Sequence, residues 1–334
     1  MLLFEQLQAS LPHLLRYVRR LEFYSPYRQE HPSPATRALL EFFAKLSLQL
    51  PVRVETLACL GHATWDAYLT GLSERLPCVR QLRIQQIATT IMPIGALSNL
   101  VALDVGFDAF ARFPRKVDPD DDKAPTQALK RLTVRTLSFG ALWYLGYYIA
   151  TIHKRAPLLE RIDVIEELEN DLLEEYCITD FVNSTSQTRH LIQSMELKVV
   201  YWRTIAPHTF HAMLRHCTRL RRLRFVVSLA RIQRDALPPL SELPYLQTLE
   251  IAFSDVAGGD GLSEILPAFC DWSALEAALL SNTRFTCLSV TLAVRPEDAV
   301  RGKTALAGLA TLVPALHQRG MLHDEIEDRL EREE

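Results

Sequence analysis

The chain has 334 residues, 48% hydrophobic and 23% charged, with a formal net charge of −3. That balance excludes a disordered, collagenous or disulfide-scaffold chain, and it asks for neither nucleic acid nor an anionic membrane as a global partner. Leucine supplies 55 residues and glycine only 12, which argues against folds built on glycine-rich phosphate loops or many tight hairpins.

Along the chain one short pattern recurs: apolar, two variable, apolar, one variable, apolar. A first copy is Val18-x-x-Leu21-x-Phe23, and after a helical apolar spacing over 37–50 comes Val54-x-x-Leu57. A second helical stretch over 64–76 leads to Val79-x-x-Leu82-x-Ile84, then Leu100-x-x-Leu103-x-Val105 and Leu129-x-x-Leu132-x-Val134. Residues 113–126 form an acidic insertion between the last two. Its Asp118, Asp120 and Asp122 imitate a calcium loop, but Lys123 and Leu129 stand where such a loop needs Gly and Glu. The uncharged stretch over 137–152 is too short and too polar to span a bilayer, and it predicts a buried helix. Further copies are Leu159-x-x-Ile162-x-Val164, Ile192-x-x-Met195-x-Leu197, Leu220-x-x-Leu223-x-Phe225, Leu246-x-x-Leu249-x-Ile251 and Phe285-x-x-Leu288-x-Val290. Helical spacing separates some of these, over 171–181, 207–216 and 273–280, the last opened by a capping box from Ser273 to Glu276. From 324 to 334 seven acids face Arg329 and Arg332, which predicts a solvated helix with Glu325–Arg329 and Asp328–Arg332 pairs.

With the central apolar residue as anchor, ten copies fall at 21, 57, 82, 103, 132, 162, 195, 223, 249 and 288, about 30 residues apart on average. The last two apolar residues of each copy alternate onto one face of a short strand, and the interval leaves room for a helix. The fold class is therefore α/β: an irregular leucine-rich-repeat solenoid of about ten degenerate repeats, parallel strands on a concave face and helices outside. It fills 1–322 as one domain, and 323–334 is a charged tail. The Asn or Cys that regular repeats place three residues beyond the strand is replaced by Ile87, Asp108, Leu137, Glu167, Ser228, Ser254 and Ala293. An irregular, twisted arc is expected.

Variable strand residues should point to the open concave face. The candidate protein-binding residues are Glu22, Arg83, Asp104, Thr133, Asp163, Arg224, Glu250 and Ser289, with Arg222 and Thr248 beside them. Arginine mixed with carboxylates suits a polar protein partner. The arginines at 215, 219, 221, 222 and 224 form a basic cluster that could contact phosphates, which gives nucleic acid as an alternative partner. On a helix His208, His211 and His216 turn away from Cys217 and do not converge on one ion; Cys217 faces the core. No metal or cofactor is expected. The six cysteines hold no CxxC pair and read as reduced core residues. The sequence has no GxSxG, GxxxxGK[ST], HExxH or complete GxGxxG, so no enzyme is expected. No signal-peptide pattern opens the chain, and the expected compartment is cytosol or nucleus.

Three features carry a resemblance. Copies such as Leu243-Pro244-Tyr245-Leu246-x-x-Leu249-x-Ile251, and the closing run Asp271-Trp272-Ser273-Ala274-Leu275-Glu276-Ala277-Ala278-Leu279 followed by Phe285-x-x-Leu288-x-Val290, are similar to those of fungal F-box/leucine-rich-repeat proteins, particularly of mushroom-forming fungi. Pro314-x-Leu316-x-x-Arg319-Gly320-x-Leu322 looks like their C-terminal end. The resemblance covers nearly the whole chain. It implies the substrate-recognition region of a ubiquitin ligase receptor, whose helical F-box would dock a Skp1-type adaptor. In this chain the repeat pattern begins between Leu11 and Phe23 with no F-box ahead of it, so the expected role is the other half: a repeat array that holds a protein target, or a stand-alone scaffold.

Overall fold

The structure of the chain is a computed structural model. It describes residues 17–29, 34, 38, 53–63, 78–87, 99–107, 128–136, 148–150, 152–154, 156–168, 181–199, 214–228, 240–254, 266–294 and 298–328. The fold is α/β, with eleven described parallel strands that follow one another in sequence order and helices between some of them. All ten anchors lie in strands: β1 (Arg20–Gln29), β2 (Thr56–Ala63), β3 (Gln81–Ile87), β4 (Ala102–Phe107), β5 (Arg131–Thr136), β6 (Arg161–Leu168), β7 (Ile192–Val199), β8 (Arg222–Ser228), β9 (Thr248–Ser254) and β10 (Cys287–Val294). Nine anchors are the second residue of their strand, and Met195 is the fourth of β7. The chain divides into two compact units, 1–137 with 148–162 and 138–147 with 163–334.

In the first unit the anchors align across neighbouring strands. Leu21 pairs with Leu57, Leu57 with Leu82, Leu82 with Leu103 and Leu103 with Leu132. Two residues on, Phe23, Cys59, Ile84, Val105 and Val134 form a second row. The lead residues Val54, Val79, Leu100 and Leu129 make a third, and all of these side chains are buried. Each buried Val, Leu or Ile contributes about 1.5–3 kcal/mol, so the core is one small set of contacts repeated.

The backbone repeats as strictly as the side chains. The carbonyl of the residue before one strand accepts two successive N–H groups at the entry of the next. Arg19 O accepts from Glu55 and Thr56 at 2.8 and 3.0 Å, Glu55 O from Arg80 and Gln81, Arg80 O from Val101 and Ala102, Val101 O from Lys130 and Arg131, and Lys130 O from Glu160 and Arg161. In the second unit Arg221 O accepts from Gln247 and Thr248, and Gln247 O from Thr286 and Cys287.

The second unit aligns Met195, Leu223, Leu249 and Leu288, then Leu197, Phe225, Ile251 and Val290. Phe253 is buried against Phe269, ring centroids 5.0 Å apart at 83°, and Phe269 lies 6.1 Å from Trp272. The Trp272 indole N–H donates to Leu266 O at 2.7 Å, so the polar edge of this aromatic cluster is satisfied.

Three α-helices of this unit have both ends within the described residues: α1 (Trp272–Ser281), α2 (Ala299–Leu312) and α3 (Pro314–Gln318). The expected capping box is replaced by a different cap. Asp271, two residues earlier than expected, accepts from Ala274 N at 2.9 Å, and the Glu276 carboxylate instead accepts from Leu316 N in α3 at 2.8 Å. Pro314 at the start of α3 separates it from α2, because proline pushes the preceding Val313 (φ −130°, ψ 62°) out of helical geometry. After α3 the chain turns through Gly320 at φ 66°, a left-handed conformation that a side chain resists. Gly308 in α2 has nothing within 4 Å of the place a Cβ would occupy. Gly308→Ala is expected to raise stability by about 0.5–1 kcal/mol and Gly320→Ala to lower it by about 1 kcal/mol, read as opposite shifts of the urea midpoint.

The expected helix at the C-terminal end is corrected over its first part. Residues Leu322–Asp328 form β11, parallel to β10, with Leu322 opposite Leu288 and Ile326 opposite Leu292. Pairing with β10 puts the two apolar residues in rows already buried, and this outweighs the i, i+4 charge pattern. The acids that suggested a solvated helix suit a strand at the end of the sheet order, where charge discourages further pairing. Arg329 and Arg332 lie outside the described residues.

Of the helices expected over 137–152, 171–181 and 207–216, only the last residues are described: 148–150 and 152 are helical with Tyr148, Ile149 and Ile152 buried, Phe181 and 214–216 are helical too, and the rest lie outside the described residues. The helices expected over 37–50 and 64–76, and the acidic insertion at 113–126, lie almost entirely outside the described residues.

Candidate functional site

Strand alternation sends the residues beside each anchor to the polar face of the sheet. In the first unit Glu22, Ala58, Arg83, Asp104 and Thr133 stand in one row across β1 to β5, which brings four candidate residues together. The row beside it is Arg20, Thr56, Gln81, Ala102 and Arg131. Asp104 is gripped from two sides. Arg135 donates to both its oxygens at 2.9 and 3.0 Å, and Arg83 Nε lies 3.4 Å from Oδ2. The two-pronged contact is the stronger geometry. Arg20 pairs with Glu22 on its own strand. These groups line an open hollow of about 360 Å³. It exists because Ala58 and Ala102 are short where their neighbours are long.

In the second unit the corresponding row is Glu196, Arg224, Glu250, Ser289 and His323. Arg222, Thr248 and Cys287 lie beside it. Arg222 Nη2 is 2.7 Å from Glu250, and Arg224 bridges Glu196 at 3.5 Å and Glu250 at 3.6 Å. The hydrogen bond to Glu250, helped by the charges of Glu250, Glu196 and Asp163, pushes the Arg222 guanidinium above its ordinary range despite partial burial. Asp163 itself is only 6% exposed and offers a partner little area.

The basic cluster separates. Arg215 sits on a helical turn paired with Glu242, Arg222 and Arg224 hold carboxylates on the sheet face, and Arg219 and Arg221 are exposed at the turn before β8. Arg20, Gln81, Ala102, Arg131, Arg135 and Glu196 were missing from the sequence candidates. The first four would have followed from applying strand alternation to both sides of every anchor, and Glu196 follows from the same rule in β7; Arg135 lies three residues past its anchor, one alternation further along β5.

Among the described residues no group of three or more His, Cys, Asp or Glu is placed to hold a metal ion. His208 and His211 lie outside them, as do Asp118, Asp120 and Asp122. Cys59 and Cys217 are fully buried; burial pushes the Cys59 thiol far up and the Cys217 thiol up to about 12. Cys78, Cys270 and Cys287 are partly exposed and, like these two, unbridged. His216 Nε2 is buried without a hydrogen-bond partner. Burial and the charge of Arg189 lower the imidazole pKa, with a backbone contact at Thr185 opposing. The unfolded chain therefore takes up this proton more readily than the folded one. The contribution is fully present above about pH 6.5 and is lost as the pH falls from there. The urea midpoint is expected to drop between pH 7.5 and 5.5, and less so in His216→Gln.

Among the described residues no helix is long and apolar enough to cross a membrane. No family model matches the chain, and no curated protein gives a significant match.

Proposed function

We propose that this chain is a non-enzymatic protein-interaction module, built from leucine-rich-type repeats and holding a protein partner on the polar face of its sheet. The observation that carries this reading is the in-register polar row in each unit, in which arginine meets carboxylate across neighbouring strands, Arg83 with Asp104 in the first and Glu196, Arg224 and Glu250 in the second, on side chains left partly open to solvent. Arginine is over-represented at protein interfaces and pre-ordered side chains lose less entropy on docking. The resemblance to fungal F-box/leucine-rich-repeat proteins extends the proposal to target recognition for a ubiquitin ligase, in cytoplasm or nucleus. The nucleic-acid alternative is weakened by the dispersal of the basic cluster, with Arg215 on a helical turn beside Glu242, Arg219 and Arg221 at the turn before β8, and Arg222 and Arg224 on the sheet face.

A photo-crosslinking residue at Thr133 or Ser289 should capture a defined protein that the same residue at Val300, on α2, does not. Equal yields at all three positions would sink the proposal. Recovery of Skp1 with the chain, or with an upstream-extended chain, would support the ligase link; recovery with neither would remove it and leave a stand-alone scaffold.

A further inference from the structure

We infer that the hollow on the first unit is a docking site for an extended acidic peptide segment of a partner protein, a conclusion that rests on the interaction-face reading and narrows it. Charge is the first argument. Among the described lining residues four arginines, Arg20, Arg83, Arg131 and Arg135, outnumber two carboxylates, Glu22 and Asp104, in a chain whose net charge is negative. The two carboxylates are already engaged. Asp104 spends both oxygens on Arg135, and Glu22 pairs with Arg20. Arg83 touches Asp104 through one N–H at 3.4 Å, while a guanidinium carries five donors in a planar fork matched to a carboxylate. An incoming carboxylate therefore finds donors held in place, with Asp104 fixing Arg83 and Arg135 rather than cancelling them.

Shape is the second argument. The lining comes from all five strands β1 to β5, about 19 Å across at the usual strand spacing. Spread over that width, 360 Å³ is a shallow trough. It fits about six residues of extended chain laid across the strands. Beside it, Tyr24 follows Arg20 and Glu22 on the same face of β1, 63% exposed, with Leu60 opposite on β2. A large exposed aromatic next to arginines is the pairing that anchors protein interfaces. The sequence that suits this surface alternates acidic residues with an occasional leucine-like side chain for the Tyr24–Leu60 end.

Fluorescence anisotropy tests this directly. The probe is a fluorescein-labelled ten-residue peptide of glutamate pairs separated by single leucines, titrated with the full chain in low salt. It should bind at least tenfold more tightly than the same peptide with lysine for glutamate, and lose at least tenfold affinity when salt is raised to 0.5 M. Arg83→Ala should weaken binding about tenfold, Arg83→Lys less, and Tyr24→Ala severalfold; Lys303→Ala on α2 should leave it unchanged. Arg83 and Tyr24 are largely exposed, and circular dichroism will confirm that the variants fold. No saturable binding, equal binding of the lysine peptide, an Arg83→Ala affinity within twofold of the parent, or Arg83-dependent binding of oligouridylate in place of the peptide would each overturn the inference. A partner crosslinked at Ser289 with no peptide binding would end this inference while leaving the interaction-face reading intact.

Discussion

Replacing Phe253 by alanine is expected to destabilise the protein by about 3–5 kcal/mol, the range for removing a fully buried phenyl ring. The ring is inaccessible, it meets Phe269 edge to face, and Phe269 in turn leans on Trp272. Deleting it removes the partner that holds Phe269 in place and leaves a cavity beneath the turn before α1. Phe253→Leu should cost far less, because most of the volume stays. The damage should also be local. In stacked repeats stability is close to a sum of terms between neighbours. Hydrogen exchange should therefore accelerate in β9, β10 and α1 while β3 and β4 keep their protection. Urea denaturation gives the magnitude and exchange gives the extent; uniform loss of protection through all strands would contradict this account.

Asn282 carries the second large effect. Its side-chain amide donates to Leu243 O at 3.1 Å and Leu246 O at 3.0 Å, and its oxygen accepts from Arg284 N at 3.0 Å. One residue thus closes its own turn and ties it to the turn before β9. Arg284 adds a second tie, stacking over the Tyr245 ring at 4.6 Å. Asn282→Ala should cost about 2–3 kcal/mol, since it strips donors from two partly buried carbonyls. Asn282→Asp is expected to be worse than alanine, because it places an acceptor against both carbonyls. That order separates a hydrogen-bonding role from simple packing, where aspartate, the closer match in size, would do less harm. Thermal unfolding of the two variants decides it.

The anchors were legible because both the burial and the strand pairing obey the same local rule. A residue such as Leu132 is apolar in sequence, second in its strand, opposite Leu103, and inaccessible. β11 was not legible by that rule. Leu322 and Ile326 are too few to announce a strand, and only the presence of β10 beside them makes one. Asp271 was overlooked as the α1 cap because Ser273 and Glu276 matched a helix-start signature better, yet Glu276 finds its donor in α3, 40 residues away. The candidate face was half legible. Alternation placed Glu22, Arg83, Asp104 and Thr133 in one row, while Arg135 reaches back to Asp104 across a register that only the paired strands define.

At seven described strand entries, those of β2 to β6, β9 and β10, a carbonyl just before the preceding strand receives two successive N–H groups, and this gives those strands a copying rule. Each of them starts where the previous one started, whatever length of polypeptide lies between them. The anchors are separated by anything from 21 to 39 residues, yet Leu57, Leu82, Leu103 and Leu132 still meet side by side. Phase is thus reset at those strand entries and does not accumulate error across them. The connecting segments are released from any duty to measure distance, and their length and composition are free to change while the polar rows on the sheet stay aligned.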